Sequence, residues 1–217
     1  MINGTKINGY SLKGAGLREI LKMKNNKDEV RAEVRVQIED NVKVAGKLIE
    51  GYLDAITEAA DRIIRAIKDG NKLMLCGNGG SAADAQHIAA ELVNRFRKER
   101  RPLAAIALTT DSSVLTSISN DYDYRYCFSK QIKALGKQGD VLVAISTSGQ
   151  ADNVIEAAVA AGEMDIYTIG LTGAGGGQLQ DVASFCIKVP SQETPRIQEA
   201  HILIGHLICD IVEKVVC

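Results

Sequence analysis

Five short apolar runs, each followed by a segment with helical character, dominate the sequence after residue 71. The runs are rich in Val, Ile and Leu and are not polar at every second residue. They lie at residues 72–76, 103–108, 141–145, 166–171 and 185–189. This pattern is typical of strands that are buried on both faces of a parallel sheet. It predicts an α/β fold with a doubly wound five-stranded parallel sheet, which binds ligands at the carboxyl ends of its strands.

Helical spacing of apolar residues predicts the helices that flank this sheet. Residues 29–69 predict two helices or one interrupted helix before the first strand. Further helices are predicted at 82–97, after Thr110, at 125–135, at 153–161, after Gly177 and at 196–216. Residues 1–28 are rich in Gly, Asn and Lys and show little periodicity. We therefore expect a loosely ordered extension over 1–28 and a single domain over 29–217.

The composition of the 217-residue chain argues against several classes of partner. A net charge of -1 gives no electrostatic footprint for nucleic acid or for an anionic membrane surface. No apolar run approaches the length of a transmembrane helix. The five cysteines are scattered and odd in number, which favours reduced thiols over a disulfide framework. We expect a cytoplasmic protein without a nucleic-acid or membrane partner.

A glycine-rich turn, Gly-Asn-Gly-Gly-Ser at residues 77–81, follows the first predicted strand. Glycines let the backbone approach a ligand closely, and the free N–H groups at a helix start attract anions. In the helix that follows, His87 and Glu91 are four residues apart and therefore share one face. Such a pair suits a divalent metal or general acid/base catalysis. Together these features predict a sugar-phosphate site.

A second polar loop, Ser146-Thr147-Ser148, follows the third predicted strand and precedes a helix. Hydroxyls and backbone N–H groups without a lysine can bind a phosphomonoester through hydrogen bonds and the helix dipole. A cluster of N-cap residues is the alternative interpretation, because Ser and Thr are favoured caps. Neither polar loop has the spacing of a Walker loop or of a dinucleotide-binding fingerprint.

Four segments together resemble phosphoheptose isomerase, the sedoheptulose 7-phosphate isomerase branch of the sugar isomerase (SIS) fold. The segments are CGNGGSAADAQH at 76–87, Asn120-Asp121, ISTSG at 145–149 and RIQEAH at 196–201. The resemblance covers roughly residues 33–215. It implies a homotetramer with active sites at subunit interfaces. It also implies conversion of sedoheptulose 7-phosphate to D-glycero-D-manno-heptose 7-phosphate, the first step towards heptose for lipopolysaccharide or other surface glycans.

The resemblance also implies roles for individual residues. Glu91 and His206 match the acid/base pair, and one Zn²⁺ per subunit is implied. The matching zinc ligands are His87, Glu91, Gln198 and His206. The matching substrate contacts are Asn78, Gly79, Gly80, Ser81, Glu91, Asn120, Asp121, Ser146, Thr147, Ser148 and Gln198. His201 receives no chemical role. The two implied roles of Glu91 compete, because a carboxylate that is bound to zinc is a poorer base.

Ala151 departs from the family pattern, and Glu91 bears on the choice between an enzyme and a scaffold. Ala151 stands where the family usually has a serine, so one phosphate hydroxyl is missing, at a cost of about 1 kcal/mol of binding. A related SIS protein is a non-enzymatic tetrameric scaffold that binds the bacterial replication initiator. Glu91 favours the enzyme, since that scaffold group lacks the carboxylate. Another sugar-phosphate isomerase or a sugar-phosphate sensor is the remaining alternative.

The spacing of Gln198 and His206 constrains how both could serve one metal site. In a continuous helix, residues 198 and 206 stand about 12 Å apart along the axis and differ by ~80° around it. A metal bond reaches only about 2 Å. Either the two residues come from different subunits, or Gln198 precedes the regular helix. We therefore expect an obligate tetramer whose interfaces use the apolar faces of the N-terminal helices and of residues 202–215.

Overall fold

The computed structural model describes residues 27–217. Five strands alternate with helices along the chain, as the apolar runs predict. The strands are β1 (Leu73–Gly77), β2 (Ala105–Ala107), β3 (Val141–Ile145), β4 (Tyr167–Thr172) and β5 (Phe185–Lys188). The helices are α1 (Lys27–Gly51), α2 (Leu53–Lys68), α3 (Gly80–Val93), α4 (Ser112–Asp121), α5 (Ser129–Leu135), α6 (Asp152–Gly162), α7 (Leu179–Val182) and α8 (Thr194–Val216), with a 3₁₀ turn at Tyr124–Tyr126.

The five strands form one parallel sheet with the order β2-β1-β3-β4-β5, which confirms the predicted fold class. The strand order reverses between β1 and β3, because β2 lies on one side of β1 and all later strands lie on the other. Gly77 at the end of β1 pairs with Ile145 at the end of β3. The loops that follow these two strands therefore start side by side at the switch point, where open α/β sheets bind ligands.

Alternate residues of the sheet pack into two separate apolar cores. Val143 of β3 lies in the core that α2, α3 and α8 cover, whereas Leu142 lies in the core that α5 and α6 cover. Every residue of β1 and β3 is buried. Burial on both faces explains why these strands have continuous apolar sequences rather than alternating ones.

The structure decides between the two alternatives for the N-terminal region, which forms two helices separated at Tyr52. It corrects two other predicted boundaries. The helix predicted at 82–97 begins at Gly80 and ends at Val93, since the backbone N–H groups of residues 96–98 donate to the Glu213 carboxylate instead of continuing the helix. The helix predicted at 125–135 divides into the 3₁₀ turn and α5.

The predicted limits, an extension over 1–28 and a single domain over 29–217, remain a prediction. The extension predicted at 1–28 lies outside the described residues except for Lys27 and Asp28, which begin α1. The described residues divide into two units, with the boundary between Lys43 and Val44. All five cysteines are free, as expected. Over residues 27–217, no helix combines the length and hydropathy that a membrane span requires.

Two glycine-containing loops at the carboxyl edge of the sheet are in direct backbone contact. Gly149, in the loop after β3, has a φ of +65°. A Cβ atom there would lie 1.9 Å from the carbonyl oxygen of Gly176, in the loop after β4. The N–H of Leu179 donates to the Gly149 carbonyl at 3.0 Å, and the N–H of Gly173 donates to the Thr147 carbonyl at 3.0 Å. The loop that carries Ser146–Ser148 is thus held by its neighbour.

We expect Gly149→Ala to destabilise the protein by at least about 1–2 kcal/mol, because it combines a left-handed backbone with a steric clash. Gly175→Ala is the matched control, since a Cβ atom at Gly175 meets open space. Urea unfolding of both variants measures the difference. Equal midpoints for the two variants would contradict this account of the loop.

Candidate active site

The turn after β1 brings strand and helix into close contact at the switch point. A Cβ atom on Gly77 would lie 2.8 Å from the Ser81 carbonyl oxygen, so only glycine fits there. Gly79 adopts a φ of +55° and precedes the first residue of α3. Ser81 is buried, whereas Gly79 and Gly80 are exposed. The exposed backbone of the two glycines is therefore the part of this turn that a ligand can approach.

Asn78 is held by two residues that the sequence analysis missed. Its side-chain amide exchanges hydrogen bonds with that of Asn153, at 2.8 and 2.9 Å. The hydroxyl of Tyr124 also donates to Asn78 Oδ1, at 3.0 Å. Asn153 lies in the first turn of α6 and is buried. The three residues line a cavity of about 370 Å³ together with Asp123, Arg125 and residues 150–152.

The Ser146–Ser148 loop does not cap the helix that follows it. Ala151 is the N-cap residue of α6, and no side chain bonds to that helix start. Ser148 Oγ instead accepts a hydrogen bond from the N–H of Gln150 at 3.1 Å. Ser146 is buried and Ser148 is exposed. The interpretation as N-cap residues is therefore wrong, and the free hydroxyl hydrogen of Ser148 remains available to an anion.

His87, Glu91 and His206 form one cluster within a single chain. Nε2 of His87 lies 3.1 Å from Oε1 of Glu91 and 3.0 Å from Nε2 of His206. One ligand atom from each residue lies within 4.8 Å of the others. Two donors on a tetrahedral Zn²⁺ stand about 3.3 Å apart, and two histidines with one carboxylate are a known catalytic zinc set. These three residues therefore fit a zinc ion with an open coordination position.

The side chain of Gln198 packs at the start of α3. The residue itself lies inside α8, which begins at Thr194, so the alternative that Gln198 precedes the regular helix is wrong. Its side-chain amide packs against Gly80, where a Cβ atom would lie 2.5 Å from Nε2. Gly80 is seven residues, or two helical turns, before His87. The amide of Gln198 is therefore near the start of α3, while the imidazole of His206 is near its middle.

The cluster depends on a close approach of α3 and α8. Gly205 precedes His206, and a Cβ atom there would lie 2.6 Å from Cδ1 of Ile88, which follows His87. The Phe96 ring packs on His206 with a centroid distance of 5.8 Å. A small residue at 205 thus lets the two imidazoles meet.

The other candidate residues have different surroundings. Asn120 and Asp121 are exposed at the end of α4, where the Asn120 amide donates to the Asp121 carboxylate at 2.8 Å. His201 is fully buried, and burial lowers its pKa to about 4 although the backbone of Thr172 opposes the shift. A neutral, buried imidazole agrees with the absence of a chemical role for His201.

Asp84 is a further ionisable group beside the cluster, one turn before His87, that the sequence analysis missed. Its Oδ2 atom is buried without a hydrogen-bond partner. Burial raises the pKa of Asp84, whereas the nearby His87 acts to lower it. An aspartate three residues before His87 was visible in the sequence as a same-face neighbour. The burial of Asp84 depends on tertiary packing and was not visible in the sequence.

Comparisons with known proteins agree with this architecture. The SIS domain family model matches residues 38–173. The phosphoheptose isomerase of Clostridium acetobutylicum is 51% identical over 183 residues, which are 83% of this chain and 93% of that protein. The phosphoheptose isomerase of Rhodospirillum rubrum is 55% identical over 163 residues, which are 75% of this chain and 87% of that protein.

A solved structure leads to the same family. The phosphoheptose isomerase from Neisseria gonorrhoeae superimposes with a TM-score of 0.79 at 42% identity, covering 85% of this chain and 99% of that one. Fold and sequence identity over most of both chains are in agreement. The chain is an isomerase that belongs to the phosphoheptose isomerase family of SIS-domain proteins.

Proposed function

We propose that this protein converts sedoheptulose 7-phosphate to D-glycero-D-manno-heptose 7-phosphate in the cytoplasm, as the first step towards heptose for surface glycans. The observation that carries the proposal is the cluster of Glu91 with two imidazoles on α3 and α8. The glycine-rich turn beside it and the hydroxyl loop after β3 complete the set of groups that such a substrate needs. The names of the close relatives support the same substrate class.

The proposed chemistry is a proton transfer between C1 and C2 through an enediol. The Glu91 carboxylate takes the proton from C1 of the ketose and returns it to C2. The His206 imidazole moves a proton between the oxygens on C1 and C2. The contact with His87 and the Phe96 ring orients the His206 imidazole for this step.

A zinc ion would be held by His87, Glu91 and His206. Bound there, it would supply Lewis-acid polarisation of the substrate carbonyl. The Gln198 of another subunit would be the fourth ligand, because the same chain's Gln198 packs against Gly80 instead. Because a carboxylate or an imidazole is a poorer base when it is bound to zinc, the ligand and acid/base roles of Glu91 and His206 would compete.

The phosphate would be bound at the switch point by backbone and hydroxyl donors. Thr147 and the exposed Ser148 would donate hydroxyl hydrogen bonds, and the buried Ser146 would shape the loop. The exposed glycines 79 and 80 would offer backbone N–H groups at the start of α3. Ala151, as N-cap of α6, adds no hydroxyl to this set.

We expect Glu91→Gln and His206→Gln each to lower kcat by about 10²–10⁴-fold, the usual contribution of an acid/base group. The assay follows the aldose product formed from sedoheptulose 7-phosphate by NMR. Glu99→Gln is the matched control, because the Glu99 side chain is 93% exposed and lies beyond the end of α3. Near-normal turnover by either folded cluster variant would refute the assignment. Absence of any aldose product from the unmodified protein would refute the proposed reaction.

We expect Ser148→Ala to raise KM for the phosphorylated ketose more than it lowers kcat, because phosphate contacts stabilise ground state and transition state alike. The decisive comparison uses unphosphorylated sedoheptulose with both proteins. The variant should lose part of the preference for the phosphorylated substrate, while kcat/KM for the unphosphorylated one stays the same. An equal loss on both substrates would argue against phosphate contact by Ser148.

We also propose that the active protein is a homotetramer whose sites form at subunit interfaces. Part of the support comes from α1, where apolar residues spaced four apart are exposed: Val30, Val34, Ile38 and Val42. Leu203 and Leu207 of α8 are also exposed, and because they are four residues apart they share one face of that helix, beside His206. Exposed apolar stripes of this kind are typical of helices that pack against another subunit.

Mixing two inactive variants tests whether the site is shared. We expect Glu91→Gln and Gln198→Ala to be weakly active alone and to regain activity when they are unfolded together and reassembled. The gain arises because some mixed sites receive an intact Glu91 and an intact Gln198 from different chains. Glu91→Gln mixed with His206→Gln is the control and should regain nothing, since both residues lie in one cluster. Light scattering that shows an active monomer would contradict the proposal.

A further inference from the structure

A buried ion pair joins the loop after α3 to α8. The side chains of Arg100 and Glu213 are 3% and 2% exposed, and Nε of Arg100 lies 3.1 Å from Oε1 of Glu213. The Glu213 carboxylate also accepts the backbone N–H groups of Phe96, Arg97 and Lys98, at 2.9, 2.8 and 2.9 Å. Glu213 thus fixes three consecutive residues of the loop to the last turns of α8.

Arg100 uses its remaining donors at the end of α3. Its Nη2 donates to the carbonyl of Glu91 at 2.8 Å. Its Nη1 donates to the carbonyls of Leu92 and Asn94, at 2.8 and 3.0 Å. The last carbonyls of a helix have no partner within the helix, and a guanidinium can satisfy several of them at once. Arg100 therefore caps α3 at Glu91 itself.

The same loop reaches the imidazole of His206. Phe96 donates its N–H to Glu213, and its ring packs on His206 at a centroid distance of 5.8 Å. Glu213 is seven residues after His206, so both side chains leave nearly the same face of α8. One buried pair is thus linked to the backbone of Glu91 on one side and to the ring beside His206 on the other.

We propose that Arg100 and Glu213 are positioning residues that hold α3 and α8 in the register at which Glu91, His87 and His206 meet. The pair acts through the backbone of α3 and through Phe96, and it touches no reacting atom. This inference rests on the proposed function for its kinetic consequences. Its structural consequence, the mutual position of two imidazoles, is independent of the substrate.

The ionisation of Glu213 keeps its ion pair with Arg100 intact at neutral pH. Burial acts to raise the pKa of Glu213, but the hydrogen bonds from the backbone of residues 96–98 and from Arg100 outweigh it and lower the pKa to about 2. Glu213 therefore remains ionised throughout the neutral range, and the link contributes stability that is lost only as the pH falls from about 4.5 towards 2.

A second buried carboxylate provides a matched control. Asp140 is fully buried and accepts the N–H groups of Lys72 and Lys137 as well as the Lys72 ammonium. It precedes β3 and therefore lies at the amino edge of the sheet, opposite the candidate site. Asp140→Asn removes the same kind of interaction as Glu213→Gln without touching α3 or α8.

The experiment compares Glu213→Gln, Arg100→Lys and Asp140→Asn in the full chain. We expect Glu213→Gln to lower kcat at least about 10-fold with KM changed less than about 3-fold, and Arg100→Lys to act in the same direction more weakly. The imidazole signals of His87 and His206 in ¹H–¹³C NMR spectra should shift in both variants, without substrate present. Asp140→Asn should lower stability but leave kcat per folded molecule and the histidine signals unchanged.

Three results would overturn the proposal. The first is unchanged histidine signals together with an unchanged kcat in Glu213→Gln. The second is an equal loss of kcat in Asp140→Asn, which would indicate a general effect of stability. The third result matters if Glu213→Gln does not fold. In that case, Arg100→Lys would overturn the proposal if its His87 and His206 signals match those of the unmodified protein. The NMR measurement tests the proposal even if the unmodified protein does not isomerise sedoheptulose 7-phosphate. That failure would refute only the proposed reaction.

Discussion

The contact between α3 and α8 is the interaction on which the candidate site depends. The two helices approach closely because residue 205 is a glycine, whose missing side chain leaves room for Ile88. Both helices bury apolar faces in the core beneath the sheet, so their separation is set by packing that a single methyl group would disturb. His87 and His206 flank this point of contact, and their ring nitrogens meet at 3.0 Å. The packing of α3 against α8 in the core therefore also sets the geometry of the cluster.

The sheet adds a second constraint by placing two ligand loops side by side. Because β1 and β3 are neighbours and end in register, the glycine-rich turn and the hydroxyl loop begin at adjacent positions. The hydroxyl loop is braced by the glycines after β4, and Asn78 is braced by Asn153 across the switch point. Sheet topology thus places side by side the two loops that we propose as the phosphate site, while the two helices supply titratable groups.

The position of Gln198 bears on the proposed assembly. A helix places Gln198 and His206 two turns apart, and the packing of Gln198 on Gly80 keeps its amide near the start of α3. His87, Glu91 and His206 meet in one chain, and we propose that Gln198 completes the site of a neighbouring chain in the tetramer. Exposed apolar residues on α1 and α8 offer the surfaces through which such a neighbour would pack.

The sequence by itself determined the features that depend on local spacing. Continuous apolar runs predicted the five strands, and the interval of four residues placed His87 and Glu91 on one face. The resemblance grouped His206 with His87, but no local pattern brings together residues that are 119 positions apart, and the tertiary structure shows how they meet. The pairing of Asn153 with Asn78 was visible only in the tertiary structure. The tertiary structure also ended α3 at Val93, where Glu213 takes the loop N–H groups that helical periodicity had assigned to a longer helix. Local patterns fix the direction of a side chain within its own element, whereas contacts between distant elements follow from how their apolar faces pack together.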